Sequence, residues 1–290
     1  MLGTACLAQQ ALPSEAKVGQ VRLELEVLPA GGMGLTHEPV VVVLRVVNLT
    51  DEPLWVQCAG GTVEGFELSV WDEHGHRLTD PPKLPAPAVD FLYGIIRVPA
   101  GKASRQITCL LDGIYCFDRP GTYEARASLW DWTTMRRRLH EDKVWQVASL
   151  AQASATYRVT EGTPDDHRRL AAVLTSCFVS GSGFGVRPPL PALASWRETH
   201  IDSHPHIDVG RVLRAFHHDA MLSYLAQITY ERHRPEWFEA IARVGTPLAR
   251  ELLQAMATSR RPWIADPAGQ ALAHMQATDG DMAPRVEEVD

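Results

Sequence analysis

The chain has 290 residues, 28 Lys and Arg against 35 Asp and Glu, a formal net charge of −7 and a hydrophobic share of 45%. That length suffices for two ordinary domains, each with its own core. The acidic balance, with no basic stripe along any helix, speaks against a nucleic-acid binder, and no stretch reaches the about 18 apolar residues of an integral membrane span.

Met1-Leu2-Gly3-Thr4-Ala5-Cys6-Leu7-Ala8 is small and apolar and gives way to polar Gln9-Gln10. It reads as the end of a secretory signal peptide without its charged front, with Cys6 placed like the lipid-anchored residue of a lipobox. A periplasmic or secreted location follows from that reading, and a disordered N-terminus on a cytoplasmic protein is the alternative. Cys58, Cys109, Cys116 and Cys177 are then left. Three pairings are open, free buried thiols are the plainer reading, and the lack of Cys-x-x-C speaks against a zinc ribbon or thioredoxin-type site.

From residue 18 to about 160 the apolar pattern has period two. Val21, Leu23, Leu25 and Val27 alternate with Arg22, Glu24 and Glu26, as in a half-buried strand. Pro39-Val40-Val41-Val42-Val43-Leu44-Arg45-Val46-Val47-Asn48 is too continuously apolar for an edge strand, and Asn48-Leu49-Thr50-Asp51-Glu52-Pro53 ends it with turn chemistry. Asn48-Leu49-Thr50 is formally a glycosylation sequon, although Asn at a strand end is first a turn former. Phe66, Leu68 and Val70 predict a strand, with a hairpin turn at Trp71-Asp72-Glu73-His74-Gly75-His76 and both histidines in solvent. The proline-rich 81–87 stretch is a loop. Strands resume over 94–98 and 105–111. Arg119-Pro120-Gly121 turns into a strand with Tyr123, Ala125, Ala127 and Leu129 on one side, and a last strand is expected within 143–159.

The turn-bearing segments "Val-x-Asn-x-Thr-Asp-Glu-Pro", "Asp-Glu-x-Gly" and "Arg-Pro-Gly-Thr-Tyr" resemble bacterial immunoglobulin-like domains, and are similar to the β-sandwich of the intracellular proteinase inhibitors. The resemblance covers about residues 20–160 and implies an antiparallel sandwich. Its motifs are turn chemistry, so they specify fold and not function.

The period changes at Thr163-Pro164-Asp165-Asp166, where Thr163 caps, Pro164 takes the first helical position and the acids favour the positive helix end. Leu170, Val173, Leu174 and Cys177 then recur at helical spacing, and the Gly181–Gly185 stretch is a connector. Asp208 is read as the cap for Val209, Val212, Leu213 and Phe216, and Asp219 as the cap for Met221, Leu222, Leu225 and Ile228. Pro235 opens a helix with Trp237, Phe238, Ile241 and Val244. Gly245-Thr246-Pro247 closes it and caps another, with Leu248, Leu252, Leu253 and Met256. Asp266-Pro267 opens the last, with Leu272 and Met275. The 237–253 segment, with Gly-Thr-Pro between its helices, resembles HEAT-like repeat units; a small bundle is the alternative.

The expected organisation is an N-terminal remnant or disordered stretch over 1–17, an immunoglobulin-like sandwich over 18–162, a HEAT-like α-helical domain over 163–277 and an acidic disordered tail over 278–290. The fold class is therefore multidomain, all-β plus all-α, with antiparallel strands first and helical hairpins or a small bundle second.

No His-Glu-x-x-His, nucleophile elbow or Walker loop is present. Thr199–His218 holds the one cluster able to ligate a metal: His200, Asp202, His204, His206 and Asp208. Pro205 breaks the helix that would set His200 and His204 one turn apart, so a structural loop is the expected role. His217 and His218 straddle a helix end that favours cations. Arg136-Arg137-Arg138 reads as a solvated hairpin tip. These features predict a non-catalytic protein-protein interaction module without a cofactor. One alternative is a protease inhibitor acting through loop 79–90 or 131–142; the other is a metal-dependent hydrolase built on the histidine cluster.

Overall fold

The computed structural model describes residues 14–58, 66–78, 94–100, 105–130, 149–179, 190–191 and 209–281. Among these, nine strands come first: β1 (Ser14–Glu15), β2 (Val21–Pro29), β3 (Pro39–Asn48), β4 (Leu54–Cys58), β5 (Phe66–Trp71), β6 (Gly94–Val98), β7 (Arg105–Cys116), β8 (Gly121–Leu129) and β9 (Ala151–Val159). Six α-helices follow: α1 (Pro164–Val179), α2 (Val209–Ala215), α3 (Leu222–Arg232), α4 (Pro235–Val244), α5 (Pro247–Ala257) and α6 (Pro262–Asp281). A 3₁₀ turn at Asp219–Met221 joins α2 to α3.

The strands form three three-stranded sheets, ordered β2-β3-β7, β5-β8-β9 and β1-β4-β6. All pairs are antiparallel except the short β1–β4 contact. β3 is central in its sheet, as its continuous Val run predicts, and nine of its ten residues are buried. Side chains alternate across a sheet, so such a strand needs cover on both faces. Val40, Val42, Leu44 and Val46 enter one apolar cluster with Leu23, Leu54, Val70, Val98, Ala127 and Leu129 from the other strands. Val41 and Val43 point the opposite way, with Ala30, Leu35 and Ile114, into the core of the helices. The helices thus pack on the outer face of β2-β3-β7, and β3 serves both cores.

Asn48 closes β3 as the turn former expected of it, yet it is fully buried. Its Nδ2 donates to the carbonyls of Glu52 (2.8 Å), Pro99 (3.0 Å) and Val98 (3.2 Å), while Oδ1 accepts from the Thr50 amide at 2.9 Å. A sequon nitrogen engaged in this way is closed to a glycan in the folded chain. The 71–76 turn also forms as expected: Gly75 takes φ +79°, and His74 and His76 stand in solvent.

Helix boundaries follow local chemistry. Thr163 and Asp166 cap each other at the start of α1: the Asp166 amide donates to Thr163 Oγ1 at 3.2 Å, and the Thr163 amide donates to Asp166 Oδ2 at 3.0 Å. Gly245 ends α4 at φ +74°, Thr246 accepts from the Ala249 amide at 3.3 Å, and Pro247 takes the first position of α5. Two expected boundaries are corrected. The side chain that caps here is His218, whose ring nitrogen accepts from the Ala220 amide at the start of the 3₁₀ turn; Asp219 lies inside that turn, and α3 follows from Met221 with no side-chain cap of its own. The last helix begins at Pro262 and runs through Pro267. Pro267 removes one backbone donor, but burial of Ile264 and Ala268 anchors the preceding turn.

Because Ala30, Leu35, Val41, Val43 and Ile114 are covered by helices, residues 14–162 expressed alone should expose an apolar face. That fragment is expected to bind a hydrophobic dye, self-associate and melt below the whole chain. A monomeric, dye-silent fragment melting with the whole chain would show that the strands do not depend on helical cover.

Candidate functional site

The β2–β3 connection, Ala30-Gly31-Gly32-Met33-Gly34-Leu35-Thr36-His37-Glu38, sits where strands meet helices. Its amides are collected by the fully buried Glu38 carboxylate. Oε1 accepts from Gly31 at 2.7 Å and, at longer range, from Met33 at 3.4 Å; Oε2 accepts from Leu35 at 2.9 Å. The Thr36 amide donates to Thr160 O at 2.8 Å and the His37 amide to Phe117 O at 2.6 Å. His37 is held at φ +62°, the left-handed region that non-glycine residues seldom occupy.

Three imidazoles meet against this loop. His167, in the first turns of α1, is 3% exposed. Its Nδ1 lies 3.0 Å from Thr163 O and its Nε2 lies 2.9 Å from Thr36 O. Only a ring with two N–H groups makes both contacts as hydrogen bonds. A Cβ at Gly162 would come within 2.6 Å of this ring, so glycine is needed there to seat it. His218 stacks on His167 with centroids 4.1 Å apart and planes 5° from parallel. Its Nδ1 accepts from the Ala220 amide at 3.0 Å. The His37 ring is 5.4 Å from His218 and 6.0 Å from His167.

Burial dominates the electrostatics here. It pushes the His218 ring down to about 4, helped by the charges of His167 and His37 and opposed by Asp219. His217 is driven down to about 4 by burial, then by Arg243 and His37. His37 is lowered by burial and His167, against the pull of Asp118. His217 and His218 do straddle a helix end, but burial there disfavours charge on both rings. Cys116 fastens the same seam from β7. Its Sγ donates to Ala215 O at 2.6 Å, and burial pushes the thiol up to about 12, which makes it a structural group and no nucleophile. Cys116 and Cys177 are both free thiols.

A second feature lies on the surface of the helices. The α3–α4 turn carries exposed Tyr230, Arg232, His233 and Arg234, and the α5–α6 turn carries exposed Arg260, Arg261 and Trp263. His233, in the left-handed cap of α3, meets Trp263 edge-on at 6.1 Å and joins the two turns. Trp263 is 53% exposed and Tyr230 45%.

His200, Asp202, His204, His206 and Asp208 lie outside the described residues, as do Cys6, the 136–138 arginines and both loops of the inhibitor alternative, 79–90 and 131–142. Among the described residues, no group of three or more His, Cys, Asp and Glu is arranged to hold a metal ion, and no helix is long and apolar enough to cross a membrane. The sequence reading missed His37, Glu38 and His167. The glycine-rich 31–34 stretch ahead of a lone Glu was the available signal for Glu38.

No protein-family model matches the chain, and no curated protein matches it significantly. Among solved structures, the β-glucuronidase of Bacteroides uniformis is similar at 12% identity, with a TM-score of 0.28. The match covers 69% of this chain and 27% of the glucuronidase chain, so this chain spans about a quarter of that length.

Removing the Glu38 carboxylate strands the amides it collects in a buried site. Glu38→Ala is expected to cost about 3 kcal/mol in urea unfolding, and Glu38→Gln less, because its amide oxygen still accepts. A cost within about 0.5 kcal/mol for Glu38→Ala, typical of a neutral surface change, would show that the carboxylate does not hold the loop.

Proposed function

We propose that the chain is a non-catalytic protein-binding module whose helical half presents the contact surface. The observation that carries this is the joined pair of turns with exposed Trp263, Tyr230 and four arginines. Trp, Tyr and Arg are the residue types that dominate binding energy at protein interfaces. Arg234 pairs with Glu236 at 3.8 Å, and the Arg232 guanidinium lies 5.3 Å from the Phe178 ring centre. These contacts brace the basic side chains around the aromatic pair and reduce the ordering cost of binding.

The strand half acts in this reading as a scaffold of immunoglobulin-like type. Support comes from Tyr123, near the start of β8, whose hydroxyl donates back to Arg119 O at 2.8 Å. A tyrosine tied to the backbone a few residues upstream is a recurring corner of such sandwiches. The α4–α5 hairpin, joined by Gly245 and Thr246, supports a HEAT-like reading of the helices.

A photo-crosslinking amino acid placed at position 263 in the expressing cell should trap a discrete protein partner, while the same residue at exposed Leu49 should not. Trp263→Ala should weaken the isolated complex about thirtyfold, in line with the loss of about 2 kcal/mol at an aromatic hot spot, and leave the melting temperature unchanged. No crosslink above the Leu49 control would remove the helical face from consideration.

A further inference from the structure

We propose that the seam between the strands and the helices is a proton-operated latch, closed while His218 is neutral and released when His218 takes a proton. Three independent contacts meet on that ring. Nδ1 accepts the Ala220 amide and so caps the turn that launches α3; a proton on Nδ1 turns the acceptor into a donor facing a donor. The ring lies flat on His167 at 4.1 Å, and His37 completes the group at 5.4 Å. A charge on His218 therefore also meets two other imidazoles.

The geometry sets the surroundings of each ring. His167 has a carbonyl oxygen at each ring nitrogen, Thr163 O and Thr36 O, and so ties α1 to the 30–38 loop. A proton on His218 or His37 is taken up beside the other imidazoles of the group. Repulsion from His167 is among the causes that lower His218 and His37, after burial. Every other charged neighbour has a defined place. Asp118, beyond β7, favours charge on His37, and Asp219, beside the stack, favours charge on His218. Arg243 of α4 faces His217 and disfavours charge there. Glu38 is saturated by the loop amides; the Cys116 thiol and the Tyr157 hydroxyl are both held neutral by burial.

The sign is fixed by linkage. His217, His218 and His37 ionise at lower pH in the folded chain than in the unfolded one, where the ordinary value is 6.5. The contribution of His217 and His218 is complete above about pH 6.5 and is lost as the pH falls towards about 4, and that of His37 is lost in the same direction. The seam, and not the strand cores, should feel this loss, because all three rings lie on the seam.

Hydrogen exchange of the whole chain, corrected for intrinsic rates, tests the latch at pH 7.5 and pH 4.5. Peptides covering 30–38, 163–179 and 216–222 should lose protection by about tenfold or more at pH 4.5, an expectation already reduced for the partial exposure of His218. Peptides of β8 and β9 should keep theirs. His218→Asn retains a capping acceptor and cannot charge, so its seam should lose clearly less protection at pH 4.5 than the parent's, the remainder coming from His217 and His37. Equal loss in seam and strands, or a His218→Asn seam that opens as readily as the parent, would overturn the proposal. Imidazole NMR of the unmodified chain decides the matter without any variant: His218 must keep Nδ1 unprotonated down to about pH 5, and ionisation near 6.5 would also overturn it.

Discussion

The two-sided burial of β3 is the constraint on which the rest of the chain depends. A strand that reads Val40-Val41-Val42-Val43-Leu44 offers apolar side chains to both faces, and neither face can be left in water. One face is met by strands, through Val42, Leu44 and Leu129. The other is met by helices, through Val41, Val43 and Phe216. Burial of a Val or Leu side chain contributes about 1.5–3 kcal/mol, so a handful of such residues on the helix-facing side decides where the helices dock. Two sequence periods thus become one continuous packing arrangement joined through the β2-β3-β7 sheet, with β3 at its centre. The polar groups at that join must then be satisfied without water, and Glu38, His167 and Cys116 do this.

The elements that could be read in the sequence are those fixed by neighbours in the chain. The central place of β3 follows from its composition alone, the α1 cap from Thr163 and Asp166, and the α4–α5 break from Gly245-Thr246-Pro247. What could not be read was whatever requires distant residues to meet. His167 reaches Thr36, 131 residues away, and nothing local to either residue announces the contact. The place of His218 at a helix end that favours cations could be read because the helix dipole is a local property; its burial against His167 and His37 could not. Likewise Pro267 looked like a helix start because proline favours that position, and the buried Ile264 that extends the helix upstream acts through tertiary packing. The site was therefore less legible than the fold: Trp263 and His233 meet only because two turns, separate in sequence, are brought side by side.

Burial acts on ionisable groups throughout the seam, and with different consequences for each type. For Glu38 the surrounding amides replace water, and the carboxylate becomes an organising centre for a loop with little side-chain mass of its own. For Cys116 burial removes reactivity and leaves a weak donor that ties β7 to the end of α2. For the imidazoles it creates a conflict, since each ring can be neutral or charged and the three stand within 6.0 Å of one another. His167 resolves its share with two carbonyl acceptors. His218 resolves its share by accepting an amide, a role that only an unprotonated nitrogen fills.

This division of labour gives the two halves of the molecule different sensitivities. The strand core is apolar and indifferent to pH over the range in which histidine titrates. The seam is held by groups whose bonding depends on where a few protons lie. The surface proposed for binding lies on helices, and those helices are held on the strands partly through the seam. A change in the protonation of His218 therefore acts where α3 begins, and α3 ends in the turn bearing Tyr230 and His233. The turn that caps on an imidazole and the turn that bears His233 are the two ends of one short helix, so the proposed latch acts on the second through the first.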